Sequence, residues 1–304
     1  MLLLKKNIEK FNKPGWSKQR QFDPPWFGNA KLLSQSHFEA DVSKRVDKCT
    51  EIIKKYDSLH CFERGLVSMV ILSCKRLDCL KRFLNSFIPF INNIETYKKF
   101  EAVLVDNGSG DALVDYAKGL EFFSEVIAFE KNLGMTGALR QVYPKIKGEY
   151  ILFVEDDFVF EYEKPFLKDC IQVFDEYPEI GIIRLKDQNN WWKPFRRISP
   201  LRKTSEGSEF WTWLPSKGRL PFTGGKLNVW AAGSVIFRKI SYLDTGDLSL
   251  GPNFGRNRRK HQGALYETEY GKRYNKTWLA AKMKNCQPFY QPNDEEVCPG
   301  WGEL

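Results

Sequence analysis

The sequence has few histidines, no paired cysteines and no long hydrophobic run. Its 304 residues include three histidines, and its seven cysteines are odd in number and lack the paired spacing of metal ligands. A zinc site or a full disulfide set is therefore not expected, and a reducing cytoplasm fits better. The apolar opening Met1 to Leu4 is too short for a signal peptide, and no later run reaches membrane-spanning length. We expect a cytoplasmic protein, with peripheral attachment to a membrane left open.

The hydrophobic content and the net charge of the chain predict a packed globular protein with a basic surface. Hydrophobic residues make up 42% of the chain and aromatic residues 14%, which at this length indicates one large α/β domain or an ordinary domain with additions. The formal net charge of +9 favours an anionic ligand or surface, such as a nucleotide, a lipid headgroup or a nucleic acid. Part of this excess charge can also serve solubility.

An apolar run that ends in three carboxylates stands at the centre of the chain. Residues 150–154 are all aromatic or aliphatic and predict a strand buried on both faces, so that Glu155, Asp156 and Asp157 emerge at its carboxyl end. Open α/β sheets bind ligands at that edge. Because neighbouring carboxylates repel one another, we expect a cation or a cationic partner beside them. An exposed acidic turn is the alternative.

Strand and helix candidates alternate along the chain. The predicted strands cover residues 66–73, 101–105, 125–129, 150–154 and 229–238. The predicted helices cover residues 36–56, 77–90, 112–120 and 278–283, and another begins within 132–141. This alternation predicts a mainly parallel sheet with a functional edge assembled from four strand-end turns.

Two of these turns carry candidate ligand-binding groups. Asp106 ends a strand before a glycine-containing turn, where it suits hydrogen bonds from a ribose or a base. Gly134 opens a helix whose N-terminus favours anions, and Arg140 adds a positive charge toward a diphosphate. Ordinary glycine-containing turns are the alternative explanation of both segments.

The order of four motifs resembles that of nucleotide-sugar glycosyltransferases of the GT-A fold, especially the family-2-type group. The motifs are residues 73–76, residues 106–109, residues 132–134 with Arg140, and residues 155–157. Residues 154–157 also resemble the acidic, DXD-type motif of Golgi N-acetylglucosaminyltransferases. The resemblance covers residues 66–185 and, more loosely, extends to 283. It implies an α/β fold with a Rossmann-like, mainly parallel sheet flanked by helices.

The resemblance also implies roles for individual residues. Asp106 is assigned to the nucleoside, and Asp157 to a divalent metal, Mn²⁺ or Mg²⁺, that bridges the diphosphate of a nucleotide diphosphate sugar. Glu155 and Asp156 are assigned to the sugar, the ribose or metal-bound water. The remaining donor-binding residues are Ser73, Arg76, Gly134 and Arg140. A metal held by hard oxygen ligands suits the negative charge that develops on a departing nucleoside diphosphate.

An acidic pair further along resembles the pair that opens a helix in inverting glycosyltransferases. We assign Glu267 as the catalytic base that removes the acceptor proton and Glu269 as the acid that follows it. The choice between them stays open, because the family usually has Asp at the base position. Displacement with inversion needs a base within hydrogen-bond reach of the acceptor hydroxyl. A solvated acidic helix start is the alternative.

These features combine into one predicted organisation and activity. Residues 1–64 form an N-terminal extension that packs on the main domain, residues 65–190 the nucleotide-sugar-binding half, and residues 191–304 the acceptor-binding and catalytic-base half. The predicted enzyme is a metal-dependent, inverting glycosyltransferase whose acceptor is a glycan, a lipid-linked sugar, a protein or a nucleic acid. The alternatives are a nucleotidyltransferase of similar sheet architecture and a non-catalytic carbohydrate- or nucleic-acid-binding protein.

Overall fold

The computed structural model of the chain describes a large sheet with helices on both faces. It covers residues 31–93, 99–162, 164–185, 197–215, 233–248 and 269–292. The helices are α1 (Gln35–Asp57), α2 (Leu77–Asn93), α3 (Asp111–Lys118), α4 (Gly134–Val142), α5 (Leu167–Glu176) and α6 (Lys239–Thr245). Within these ranges, no helix combines the length and the apolar character needed to cross a membrane.

Eleven of the described strands belong to the large sheet, and two pair separately. The strands are β1 (Lys31–Leu32), β2 (Glu63–Ser73), β3 (Phe100–Asp106), β4 (Glu125–Ala128), β5 (Gly148–Glu155), β6 (Val159–Phe160), β7 (Ile180–Arg184), β8 (Arg197–Ile198), β9 (Arg202–Lys203), β10 (Glu209–Leu214), β11 (Val235–Arg238), β12 (Leu279–Met283) and β13 (Phe289–Tyr290). The order in the large sheet is β1-β8-β10-β12-β7-β11-β5-β2-β3-β4, with β9 beside β10, and β13 pairs with β6.

The large sheet is mostly parallel, as predicted. The pairings leave β10 and β11 as the two described strands that run against the others. Parallel register places Ser73 level with Asp106, and Leu72 level with Glu155. Asp106 is in turn level with Ala128 at the end of β4. The four predicted strand-end turns therefore meet at one edge of the sheet.

Strand β5 is buried on both faces, which explains its uninterrupted apolar run. Tyr150, Leu152 and Val154 belong to the core that contains residues of α2, α3 and α5, whereas Ile151 and Phe153 belong to the core that contains residues of α4 and α6. Successive side chains of a strand point to opposite faces, so residues 150–154, which lie between two helical layers, have no position that faces water. The polar side chain that ends this apolar run is Glu155, the last residue of the strand.

The predicted helix over residues 278–283 is wrong. Leu279–Met283 forms strand β12, which pairs with β7 and β10. Its Leu-Ala-Ala-Lys-Met sequence favours a helix locally, but all five residues are buried between neighbouring strands, and this tertiary context outweighs local propensity. The helix lies earlier, at residues 269–274. Of the predicted strand 229–238, residues 235–238 are a strand and residues 229–232 lie outside the described residues.

Gly181 in β7 allows residues of two helical segments to approach the sheet. A Cβ atom at this position would lie 2.2 Å from the hydroxyl oxygen of Tyr274 and 3.0 Å from the Cβ atoms of Ser241 and Trp278. All three neighbours are buried. We therefore expect Gly181→Ala to lower the free energy of unfolding, measured with urea, by about 1–3 kcal/mol, the usual cost of overpacking.

Gly119→Ala is the matched control for this packing. A Cβ atom at Gly119 would meet two backbone oxygens at 3.4 and 3.5 Å, which is ordinary contact. This variant should change the free energy of unfolding by less than about 0.5 kcal/mol. If the two alanine variants unfold at the same urea concentration, then Tyr274, Ser241 and Trp278 do not pack against Gly181 as closely as the structure shows.

Candidate functional site

Asp156 and Asp157 are buried at the carboxyl end of β5. Glu155 is the last residue of the strand and is partly exposed, and the two aspartates follow in a turn. The exposed fraction is 0% for Asp156 and 7% for Asp157. An exposed acidic turn therefore does not describe these two side chains. Burial of adjacent carboxylates requires compensating positive charge or hydrogen-bond donors.

Arg76 supplies that positive charge from the residue before α2. Its Nη2 lies 2.5 Å from Asp156 Oδ1, and its Nη1 lies 3.3 Å from Asp157 Oδ2. Ser73 adds a hydrogen bond from its hydroxyl to Asp156 Oδ2 at 2.5 Å. The cationic partner expected beside the acidic triplet is thus a guanidinium of the chain itself. Ser73 is fully buried and acts here as a support for Asp156.

The pKa of Asp156 is raised toward neutral pH. Burial raises the pKa of this carboxyl to about 7, and the neighbouring Asp157 and Glu155 also raise it, whereas Arg76 and Ser73 act in the opposite direction. Burial outweighs the ion pair because the side chain is removed from water almost completely. The net charge at this edge of the sheet therefore changes within the physiological pH range.

Asp157 retains one buried carboxylate oxygen without a hydrogen-bond partner. Its Oδ2 accepts a hydrogen bond from Gln291 Nε2 at 2.7 Å in addition to the Arg76 contact, whereas Oδ1 has none. An orphaned carboxylate oxygen is a hard ligand of the kind that Mg²⁺ and Mn²⁺ prefer. The described residues contain no group of three or more His, Cys, Asp or Glu side chains that could hold a metal. This donor set fits an ion shared between one carboxylate, substrate phosphates and water.

Gln291 is a site residue that no sequence pattern indicates. It follows β13. This strand pairs with β6, which begins two residues after Asp157. The backbone N–H of Glu161 donates to the carbonyl of Pro288 at 3.0 Å and anchors the same segment. Because the contact with Asp157 joins positions far apart in the chain, only the β6–β13 pairing brings the two side chains together.

Asp106 closes the turn that follows β3. Both of its carboxylate oxygens accept the backbone N–H of Ser109, at 3.1 Å each, and the residue is 1% exposed. Asn107 links this turn to the start of α4, since its Oδ1 accepts the N–H of Leu133 at 2.8 Å and its Nδ2 donates to Asn132 Oδ1 at 2.8 Å. The turns after β3 and β4 are therefore held as one unit. A contact between Asp106 and a nucleoside stays a prediction.

Gly108 lets these two turns approach each other. Its φ of +84° lies in the left-handed region, and a Cβ atom there would lie 2.5 Å from the backbone nitrogen of Asn132 and 2.6 Å from the carbonyl carbon of Lys131. Any other residue would therefore separate the turns or strain the backbone. The glycine that marks a turn in the sequence is required here by close packing as well.

Gly134 and Arg140 lie at opposite ends of α4. The N–H of Gly134 donates to Asn132 Oδ1 at 2.7 Å. Arg140 lies in the last turn, where its Nε and Nη2 contact the two carboxylate oxygens of Asp247 at 2.8 and 2.6 Å. The structure thus gives this guanidinium a partner within the chain. Binding of a diphosphate by Arg140 stays a prediction, and it requires the pair with Asp247 to open.

Of the two candidate bases, the structure describes Glu269. Glu267 lies outside the described residues. Glu269 begins the helical residues 269–274, and its carboxylate is paired with Lys272. The assignment of either glutamate as the base stays a prediction.

The residues that form the sheet edge described above match a known protein family. Residues 68–242 match the family described as Glycosyl transferase family 2. The matched region includes all four strand-end turns and extends into α6. No curated protein matches the sequence significantly.

The solved structures that match this chain include two of TarS from S. aureus. TarS 1–349 is 15% identical, and the similarity covers 74% of this chain and 60% of that one with a TM-score of 0.48. The same fragment in complex with UDP-GlcNAc is 16% identical, with coverage of 72% and 59% and a TM-score of 0.42. The mannosyltransferase PcManGT from Pyrobaculum calidifontis, in complex with GDP-Man and Mn²⁺, is 16% identical, with coverage of 43% and 38% and a TM-score of 0.35. The present chain thus spans about 60% of the length of the TarS fragment.

Proposed function

Since this chain belongs to glycosyl transferase family 2, whose match covers more than half of its residues, we propose that it transfers a sugar from a nucleotide diphosphate sugar to an acceptor hydroxyl. Its mostly parallel sheet flanked by helices is the GT-A fold. One observation in the site carries the proposal. Asp157, buried at the carboxyl edge of that sheet, is oriented by Arg76 and Gln291 and keeps one oxygen without a partner.

Asp157 is the residue that holds the divalent cation in this proposal, through Oδ1. When bound, Mn²⁺ or Mg²⁺ stabilises the negative charge of the departing nucleoside diphosphate. Arg76 and Gln291 fix the other oxygen and so orient the carboxylate before the substrate arrives, which avoids reorganisation during the reaction. Glu155 and Asp156 precede Asp157 in the chain and are assigned to the sugar, the ribose or metal-bound water.

The nucleoside end of the donor is assigned to the linked turns after β3 and β4. Asp106 is the acceptor of hydrogen bonds there, and its interaction with the N–H of Ser109 holds the carboxylate in place. The start of α4 at Gly134 lies in the same unit through Asn132 and Asn107. Backbone N–H groups at a helix N-terminus favour a negatively charged group, so this unit suits the diphosphate as well.

The acceptor half and the stereochemistry form the second part of the proposal. Glu267 or Glu269 removes the proton of the acceptor hydroxyl, and the sugar is transferred with inversion. Residues 65–190 bind the donor, residues 191–304 bind the acceptor and carry the base, and residues 1–64 pack on the main domain. Helix α1 supports the last assignment, since its Phe38, Val42 and Cys49 are buried in the two cores. A cytoplasmic location stays a prediction.

A thermal-shift panel of nucleotide diphosphate sugars, with and without Mn²⁺, tests donor binding. The panel includes UDP-GlcNAc and GDP-mannose, with the free sugars as controls. A donor at about 100 times its Kd should stabilise the folded protein by about 2.7 kcal/mol, and only when the metal is present. The proposal loses its support if no nucleotide sugar raises the melting temperature in the presence of Mn²⁺.

A further inference from the structure

An open groove with a volume of about 580 Å³ lies between α4 and α6. Its walls include the apolar side chains of Leu133, Pro144 and Leu243 and the polar side chains of Arg140, Gln141 and Asp247. The volume falls in the range of small-molecule sites, which combine apolar walls with a few polar groups. The strand-end roles proposed above use Arg140 only when its pair with Asp247 opens, and they use neither Gln141 nor the face of α6.

The groove is formally neutral in a protein with an excess of positive charge. Arg140 and Asp247 are the charged residues among those that line it, and they form a two-point ion pair with each other. The chain as a whole carries a formal charge of +9. A phosphorylated or carboxylated ligand would gain little from this neutral lining, so its charge favours a neutral ligand.

The ion pair also presents hydrogen-bond donors and acceptors side by side. The side chains of Arg140 and Asp247 are 46% and 44% exposed, so both also face solvent. Arg140 uses Nε and Nη2 for the pair, which leaves Nη1 able to donate to a ligand, and each carboxylate oxygen of Asp247 can accept a further hydrogen bond. The adjacent amide of Gln141 offers one more donor and acceptor. This arrangement matches vicinal hydroxyl groups, each of which donates and accepts.

We propose that this groove binds a neutral saccharide unit of the acceptor. The C–H face of a sugar ring packs on Leu133, Pro144 and Leu243, while its hydroxyls bind the ion pair. The groove adjoins the donor edge, because Leu133 lines it and donates its N–H to Asn107 in the linked turns. The assignment as an acceptor subsite rests on the proposed function, whereas the binding of a neutral saccharide does not require it.

Ligand-observed NMR titrations of the full chain, without nucleotide or metal, test this proposal. The probes are the neutral disaccharides maltose, cellobiose, lactose and chitobiose, with digalacturonate as the anionic comparison and a serine-containing peptide as the protein-acceptor comparison. At least one neutral disaccharide should bind the unmodified chain. Asp247→Ala should weaken its binding by about 10-fold or more, and Gln141→Ala by about 5-fold, since each removes hydrogen bonds to the ligand.

Glu206→Ala is the matched control for the Asp247 variant. Glu206 forms an exposed ion pair with Lys168 at 2.7 Å, so the variant makes the same kind of change outside the groove. It should bind the disaccharide as the unmodified chain does. The proposal is overturned if no neutral disaccharide binds, if digalacturonate or the peptide binds in preference, or if Asp247→Ala and Gln141→Ala both retain full affinity. A failed donor panel with saccharide binding intact would instead contradict the proposed transferase activity alone.

Discussion

Asp157→Ala is expected to abolish sugar transfer and to leave the fold intact. The change removes the buried oxygen that has no partner in the structure and that we assign to the divalent cation. A metal contributes several kcal/mol to stabilising the leaving diphosphate, so kcat should fall by at least about 100-fold. The remaining ion pair between Arg76 and Asp156 keeps the edge of the sheet neutralised. The measurements are the rate of nucleoside diphosphate release with Mn²⁺ and the thermal unfolding curve.

Two further variants separate the role of Asp157 from a general effect of lost charge. Asp115→Ala removes an exposed carboxylate from α3 and should leave the rate unchanged. Asp157→Asn keeps the size of the side chain but removes its charge, and it should lose activity together with the Mn²⁺-dependent thermal shift. Full activity in Asp157→Ala would rule out the role assigned to this residue.

Arg76→Ala is expected to destabilise the protein strongly at pH 8 and less at pH 5. The variant leaves Asp156 and Asp157 buried without their cation, and loss of one partner of a buried ion pair costs about 3–5 kcal/mol. The pKa of Asp156 in the folded state is already raised to about 7, compared with about 3.9 in an unfolded chain. Removal of Arg76 should raise it further, because this guanidinium acts to lower it.

The direction of the pH effect follows from this raised pKa. A carboxyl whose pKa is higher in the folded state stabilises that state fully at pH values below the unfolded pKa, and this contribution is lost as pH rises to the folded pKa. For Asp156 the loss extends from about pH 4 to about pH 7 in the unmodified protein. In Arg76→Ala this loss of stability should continue above pH 7. Urea unfolding at both pH values, with a chelator present, measures the difference.

Arg64→Ala is the control for the Arg76 variant. Arg64 also contacts two carboxylates, those of Asp57 and Glu149, but its side chain is 61% exposed. Exposed ion pairs contribute little, so the expected loss is about 1 kcal/mol or less at either pH. If Arg76→Ala costs no more than Arg64→Ala, or costs the same at pH 5 and pH 8, the buried acidic pair does not depend on Arg76.

The sequence was sufficient to predict the sheet and its functional edge, because both depend on local patterns. The apolar run of β5 requires burial on two faces, and the polar residues at 73, 106 and 155–157 then fall at parallel strand ends. Parallel pairing places such ends at one edge. The expected cationic partner was also present, and it proved to be Arg76.

The parts that local patterns did not predict depend on contacts distant in sequence. The run Leu-Ala-Ala-Lys-Met at 279–283 reads as a helix until its burial between β7 and β10 is known. Gln291 reaches Asp157 only because β13 pairs with β6. Arg140 is assigned to a diphosphate from its place after a helix N-terminus. Its guanidinium is instead held by Asp247, which follows the end of α6 and which no spacing rule connects to Arg140.

The most direct test of the proposed activity is the identity of the phosphorus-containing product. The chain is incubated with the nucleotide sugar that gives the largest thermal shift and Mn²⁺, and the products are identified by phosphorus NMR. No acceptor is added, so water accepts the sugar. Slow release of the nucleoside diphosphate is therefore sufficient to identify the product. Transfer of the sugar predicts a nucleoside diphosphate that appears with the unmodified chain and not with Asp157→Ala. Release of a sugar 1-phosphate would contradict glycosyl transfer and favour nucleotidyl transfer instead, because the bond between the two phosphates would then break and the nucleoside monophosphate would be transferred.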